Sequence, residues 1–394
     1  MTLLIILGGV MALAVAMGIG RFAFTPLMPL MIRDGTLDTT AGAEWAAANY
    51  VGYLAGALTV GLFSNDSRRG LGLSLLGIAL TTLAGAVVGG GPTALAGALL
   101  RAAAGVFSAW ALVCTSSWCL GELAHRQASH RGAWIYTGVG SGIALAGILT
   151  WLGGQQPASW LWLELGLTAT LGAVLVQLSL RVSALPAVRA QAPAALRASP
   201  RTSPRQLSLV LCYGAFGFGY IVPATFLPAM AREQVPDPMV FGLTWPLFGV
   251  AAALSVAVVA RWLSGWRRRR VWALAQGVMA VGTALPLFTQ SLWALAASAV
   301  LVGGTFMVAT MAGLQLAREL APANPTPLLA SMTVAFAAGQ IIGPLLVRAL
   351  GSETWAGLDA LALTSALATA VLLVTAAWLW RNPRSAALQP EPLQ

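Results

Sequence analysis

The chain has 394 residues, of which 58% are hydrophobic and only 9% charged, and its mean hydropathy is +0.79. Soluble globular domains carry about 25% charged residues, so this composition excludes a soluble fold and predicts an integral membrane protein. The net charge of +10 comes from 22 basic residues, all arginine, against 12 acidic ones. These arginines lie between apolar segments rather than along one amphipathic face, which argues against nucleic acid as a partner.

A bilayer-crossing helix needs about 20 apolar residues. In chain order the predicted spans are 3–31, 43–63, 70–90, 93–120, 132–154 and 159–181, then 207–231, 241–263, 271–290, 292–317, 328–350 and 357–380. The first run lacks a basic leader and is about twice the length of a signal-peptide core, so it reads as an uncleaved span. Between spans 6 and 7 the stretch 182–206, "VSALPAVRAQAPAALRASPRTSPRQ", is rich in Pro, Ala and Arg and reads as a linker. The expected division is therefore a six-helix bundle over 1–181, the linker, a second bundle over 207–381 and a tail over 382–394. Seventeen of the 22 arginines fall on the linker side, three (Arg33, Arg232 and Arg348) on the other side, and two (Arg21 and Arg101) inside spans. The positive-inside rule then predicts both termini in the cytoplasm, and the run Arg267–Arg270 serves as an anchor on that side.

The two halves repeat. "GIGRFAFTPLMPLM" at 18–31 aligns without a gap on "GFGYIVPATFLPAM" at 217–230, matching Gly18/Gly217, Gly20/Gly219, Pro29/Pro228 and Met31/Met230. Gly138-x-x-x-Gly142 in span 5 answers Gly339-x-x-x-Gly343 in span 11, and spans 4 and 10 both end in Glu-Leu-Ala. Three matches at nearly the same offset, each joining corresponding spans, indicate duplication. The expected class is an all-α membrane protein with twelve transmembrane helices in two pseudo-symmetric six-helix bundles.

This organisation resembles the major facilitator superfamily. The loop stretch "GLFSNDSRRG" at 61–70 is similar to that family's Gly-x-x-x-Asp-Arg-x-Gly-Arg-Arg motif, with Asn65 where Asp is expected. "LRAAAG" at 100–105 resembles its Arg-x-x-x-Gly motif in helix 4. "GVGSGIALAG" in span 5 resembles the Gly-x-x-x-Gly-Pro motif but carries Ile143 for proline, whereas "GQIIGP" in span 11 keeps Pro344. Within the superfamily, residues 18–31 together with "ANYVGYLAGAL" at 48–58 resemble the bacterial YbfB-like branch. The resemblance implies a secondary transporter of the bacterial inner membrane working by alternating access, as a monomer, with helices 1 and 4 lining a central cavity.

The buried polar residues point to its cargo. Arg21 lies ten residues before the end of span 1, ~15 Å deep at 1.5 Å per residue, and Arg101 is ~12 Å deep in span 4. A charge at that depth costs roughly 2.5–3.5 kcal/mol, so each needs a partner. Two readings stand side by side: ion pairs with deep carboxylates, Arg101 with Glu164 foremost, or a guanidinium facing the cavity to bind an anionic substrate. Asn49 and Tyr53 share one face of span 2. In the second half, Tyr220 occupies the position equivalent to Arg21, and Trp245, Thr310, Gln315 and Gln340 are further neutral binding candidates. Pro26 and Pro29 deprive the Phe22 and Thr25 carbonyls of their helical donors, which predicts a kink or break just beyond Arg21. Gly18, Gly20, Gly138, Gly142, Gly339, Gly343 and Pro344 are read as packing or gating positions.

Energy coupling is expected to be a proton gradient or anion exchange, because no Gly-x-x-x-x-Gly-Lys nucleotide loop is present. The candidate proton carriers are Glu164, Glu44 and Asp359; His125 and His130 are loop residues. Cys114, Cys119 and Cys212 have no metal-ligand spacing and read as packing residues, so no metal, cofactor or catalytic constellation is expected. The sequence therefore predicts a carrier of small organic anions. The alternative is a multidrug or metabolite efflux pump of the same fold that takes hydrophobic or cationic compounds.

Overall fold

The computed structural model describes residues 2–63, 66–182, 204–235, 237–263, 265–289, 291–321, 326–351, 354–355 and 357–381. Within them twelve helices are long and apolar enough to cross a membrane. The first six are α1 (Thr2–Arg33), α2 (Thr39–Phe63), α3 (Ser67–Val87), α4 (Gly91–Leu123), α5 (Arg131–Leu152) and α6 (Ala158–Arg181). The second six are α7 (Gln206–Gln234), α8 (Met239–Val259), α9 (Arg268–Phe288), α10 (Leu292–Ala317), α11 (Ser331–Leu350) and α12 (Ala360–Arg381). Every predicted span is present with its ends displaced by only a few residues. Most of the expected linker, the tail 382–394 and Asn65 lie outside the described residues. The helix that carries α7 starts at Pro204, inside the predicted linker, where a proline at the first helical position gives up no helical bond.

Polar side chains set where several helices begin. The carboxylates of Asp38, Asp66 and Asp359 accept the backbone N–H groups of Ala41, Arg69 and Ala362 at 2.7, 2.9 and 2.7 Å, and Ser291 caps α10 through Ala294. Several hydroxyls inside the bilayer-length segments, those of Ser74, Thr82, Thr283 and Thr364 among them, bond back to their own helix, which satisfies them without a water or a second helix. On α6 the exposed side chains of Trp160, Leu167, Leu171, Val174 and Leu178 recur at helical spacing and form an outward-facing apolar stripe.

The two halves pack by equivalent rules. In the first, a methyl group at Gly18 would overlap the backbone of Gly142, and one at Gly138 would overlap the Val10 carbonyl, so α1 and α5 meet backbone to backbone. In the second, Gly339 faces the backbone at Gly214 and Phe218, and Gly343 faces Ile221, so α11 lies on α7 in the corresponding way. Gly20 faces Ser108 and Ile78, and Pro344 lies within α11. Between the halves, α5 and α8 cross closely because Gly140 meets Ala252 and Ala253, and Gly249 meets Ala144. On the face that carries the α1–α2 loop, Trp151 donates to the Met239 carbonyl at 2.8 Å, and Arg348 pairs with Glu44 at 2.9 Å. These contacts close the interface on that side. The three cysteines are buried, free packing residues.

Candidate functional site

The site begins with an irregularity in α1. An α-helix runs from Thr2 to Leu13, then eight residues, Ala14–Arg21, wind as a π-helix, and α-helical geometry resumes at Phe24–Arg33. The wide turn is visible in the Phe22 N–H, which reaches the Met17 carbonyl five residues back at 3.1 Å. The break therefore falls at residues 22–23, before the prolines rather than at them. Pro26 sits in the first turn of the resumed helix, where a missing N–H costs little. Its effect is felt at Arg21: the residue five positions on from that carbonyl is Pro26, and the Thr25 N–H goes to Phe22 instead, at 3.2 Å.

Arg101 supplies the missing donors. Its Nη2 donates to the Arg21 carbonyl at 2.8 Å and its Nη1 to the Gly20 carbonyl at 3.1 Å, with the guanidinium 5.2 Å from the Phe24 ring centroid. Asn49 in turn donates to the Arg101 carbonyl at 2.9 Å, tying α2 to α4. The expected Arg101–Glu164 pair does not form. Arg101 is a brace for the broken helix, and Glu164 lies on the outward face of α6 between Trp160 and Leu167, half-buried and outside every ion pair formed among the described residues.

With its backbone held by Arg101, Arg21 turns its side chain to the interface between the halves. Nη2 donates to Gln340 Oε1 at 2.5 Å, and Gln340 Nε2 donates onward to the Tyr220 hydroxyl. Arg21 and Tyr220, equivalent positions of the repeat, thus meet over one glutamine of α11. The guanidinium lies on the Tyr53 ring, 3.6 Å from its centroid, with the Phe22 and Tyr50 rings at 5.3 and 5.7 Å. Cation–π contact of this kind stabilises a positive charge without neutralising it. The Tyr50 hydroxyl bonds Thr225 across the interface at 3.0 Å. Behind Gln340, Tyr220 stacks between Phe306 and Phe336 at interplanar angles of 8° and 6°. Trp245 packs on Phe248 and approaches Phe22.

The electrostatics are lopsided. Arg21 and Arg101 are 3% and 5% exposed. The ion pairs among the described residues are Arg33–Asp34, Arg68–Glu122, Arg126–Glu122 and Arg348–Glu44, none of which involves either buried arginine. Glu122 is the only carboxylate buried among the described residues, and it is held by Arg68 and Arg126 at the end of α4. Arg21 Nε, Asn49 Oδ1 and Trp245 Nε1 are buried without a protein hydrogen-bond partner among the described residues.

The remaining sequence candidates are elsewhere. Gln315 is exposed, and Thr310 bonds back to the Phe306 carbonyl within α10 at 2.8 Å. Glu44 is occupied by Arg348 near the surface, and Asp359 is the exposed cap of α12, so neither presents a free carboxylate to the interface. Tyr50, Thr225, Phe22, Phe306 and Phe336 belong to the cluster and were not expected from the sequence. The nearest signal was the three-residue spacing of Tyr50 and Tyr53, which puts both rings on one side of α2.

A family model described as "Uncharacterised MFS-type transporter YbfB" matches residues 13–379. The chain belongs to that family. This YbfB-type chain is therefore a multi-pass membrane protein and a secondary transporter, not an enzyme. No curated protein matches it by sequence. Among solved structures it is similar to the nucleoside transporter NupG in its D323A form, with a TM-score of 0.70 over 95% of this chain and 99% of that one, at 14% identity. It is also similar to a D-xylose-proton symporter, with a TM-score of 0.69 over 96% of each chain, at 16% identity. At such identities the likeness is one of fold, and the YbfB-type site has to be read from its own residues.

Proposed function

We propose that this transporter carries small organic carboxylates across the bacterial inner membrane, with both termini in the cytoplasm and Arg21 as the anion-binding group. The observation that supports the reading is a buried guanidinium held by a neutral amide, a phenol ring and no carboxylate. Burial of a charge is expensive unless it is paired, and an anionic cargo supplies the pair.

Exchange of partners provides the mechanism. A carboxylate accepts two parallel bonds from a guanidinium and carries the opposite charge, so it binds Arg21 more strongly than the single neutral oxygen of Gln340 does. Cargo reaching Arg21 therefore displaces Gln340, and with it the hydrogen-bonded chain that links α1 to α7 through α11. Loss of that chain lets the halves rock apart on one face while the cargo's charge is covered. Differential affinity of this kind is what a ligand needs to shift a conformational equilibrium. Because Glu44 and Asp359 are engaged and Glu164 faces outward, exchange of one anion for another, or entry of a proton on the cargo's own carboxylate, fits better than proton transfer through a protein acid. An efflux pump for cations needs an acidic residue in this layer, and among the described residues the layer contains none.

The test is counterflow of radiolabelled carboxylates in proteoliposomes. Wild-type protein should exchange them, and Arg21→Ala should not; unchanged exchange in Arg21→Ala would remove Arg21 from the binding site.

A further inference from the structure

A second binding site lies on the outside of the first bundle, away from the central cluster. Between the start of α3 and the end of α6 runs a groove of about 1060 Å³. Arg68, Arg69 and Arg181 stand at its lip, on the linker face, and Leu73, Leu76, Val174 and Leu178 form its walls. These four wall residues are exposed, so the groove opens outward, toward lipid in a membrane.

Its dimensions follow from helix geometry. The groove extends along α3 from Arg69 to Ala79 and along α6 from Arg181 back to Thr170. At 1.5 Å per residue each wall is about 15 Å long, which is half of a ~30 Å hydrocarbon core and thus one leaflet deep. An apolar slot one leaflet deep beneath a positively charged lip has the shape and polarity of a phospholipid.

The charge at the lip is available. Arg68 is engaged by Glu122, and the Asp66 carboxylate caps the Arg69 N–H. Arg69 and Arg181 are exposed and belong to no ion pair among the described residues. The contrast with the opposite end of the same two helices is informative. A groove of about 640 Å³ there is also lined by an arginine, Arg33, but its guanidinium is used up on Asp34 and on the carbonyls of Gly154 and Gln156. On the floor of the linker-face groove the Gln177 amide lies over Gly72, so any side chain at 72 pushes that amide aside and takes up room in the slot.

We infer that the groove between α3 and α6 binds an anionic membrane phospholipid, with Arg69 and Arg181 on its phosphate-bearing headgroup and its acyl chains along Leu73, Leu76, Val174 and Leu178. This assignment is independent of what the central site transports.

The experiment is native mass spectrometry of the full-length protein, delipidated in detergent and titrated with phosphatidylglycerol or with zwitterionic phosphatidylcholine of the same chains. Wild-type protein should retain phosphatidylglycerol in preference to phosphatidylcholine. Arg69→Gln/Arg181→Gln should weaken retention about thirtyfold, the factor for two interfacial charges. An equally basic control pair from the same face, Arg267→Gln/Arg270→Gln, should retain the lipid as wild type does. Gly72→Leu, which fills the slot without touching a charge, should also lose it. Equal retention of the two lipids, full retention by Arg69→Gln/Arg181→Gln or by Gly72→Leu, or an equal loss in the control pair would each overturn the assignment.

Discussion

Gln340→Glu gives the sharpest test of how Arg21 works, because it builds into the protein the group that the cargo is proposed to bring. The side chain keeps its length and shape, so the oxygen now 2.5 Å from Arg21 Nη2 becomes a carboxylate oxygen in the same place. A hydrogen bond between neutral partners contributes about 0.5–1.5 kcal/mol, and one involving a charged group about 1.5–3 kcal/mol. Arg21 already carries its charge, so its bond to Gln340 belongs to the second class; a carboxylate acceptor moves it toward the top of that range, a gain of up to about 1.5 kcal/mol that an external carboxylate must now overcome. The expected result is a half-saturating anion concentration raised by up to about tenfold over wild type. Counterflow in proteoliposomes measures it directly. Adding Gln340→Glu to Arg21→Gln should cause no further loss beyond that of Arg21→Gln alone, because both changes act on one interaction. Wild-type saturation in Gln340→Glu would refute the idea that cargo and Gln340 compete for the same guanidinium.

Other substitutions separate the roles of the charged residues. Arg101→Met removes both bonds to the Gly20 and Arg21 carbonyls; set against relief of a buried charge, the net loss is about 2 kcal/mol, read as a lowered midpoint in denaturant unfolding. Arg21→Gln, which leaves those carbonyls braced, should unfold at nearly the wild-type midpoint while failing to bind anions. Glu44→Gln breaks a pair whose partners are 49% and 38% exposed, and should change stability by less than about 1 kcal/mol in the same assay. Glu164→Gln should leave the rate of anion exchange unchanged across pH, since that side chain shares the outward stripe of α6.

The membrane architecture was readable because hydrophobic length is a local property. Each span is announced by its own run of apolar residues, and the caps at Asp38, Asp66 and Asp359 stand where those runs begin. Arg21 was conspicuous for the same reason, as one charge in an apolar run. What it touches was not readable, because Gln340 is 319 positions away and reaches it only when two bundles close on each other. The duplication hinted at the geometry by pairing Arg21 with Tyr220, but the glutamine between them has a valine, Val139, at its counterpart 201 residues earlier. The true partner of Arg101 was hidden for a different reason: it is a pair of backbone carbonyls, which no side-chain pattern marks. The π-helical turns of α1 depend on that same external donor, so propensity along the segment does not reveal them. That Glu44 and Asp359, candidate proton carriers near span ends, are engaged by Arg348 and by the Ala362 N–H was not legible either, because position along a helix says nothing about which neighbour or backbone group a carboxylate finds.

The central claim, that a buried and unneutralised guanidinium receives a carboxylate, is tested most directly by thermal shift of the purified protein against carboxylates, neutral sugars and cationic dyes. Stabilisation by carboxylates alone in wild type, absent in Arg21→Gln, is the predicted result. Stabilisation by cations, or by carboxylates equally in Arg21→Gln, would contradict it.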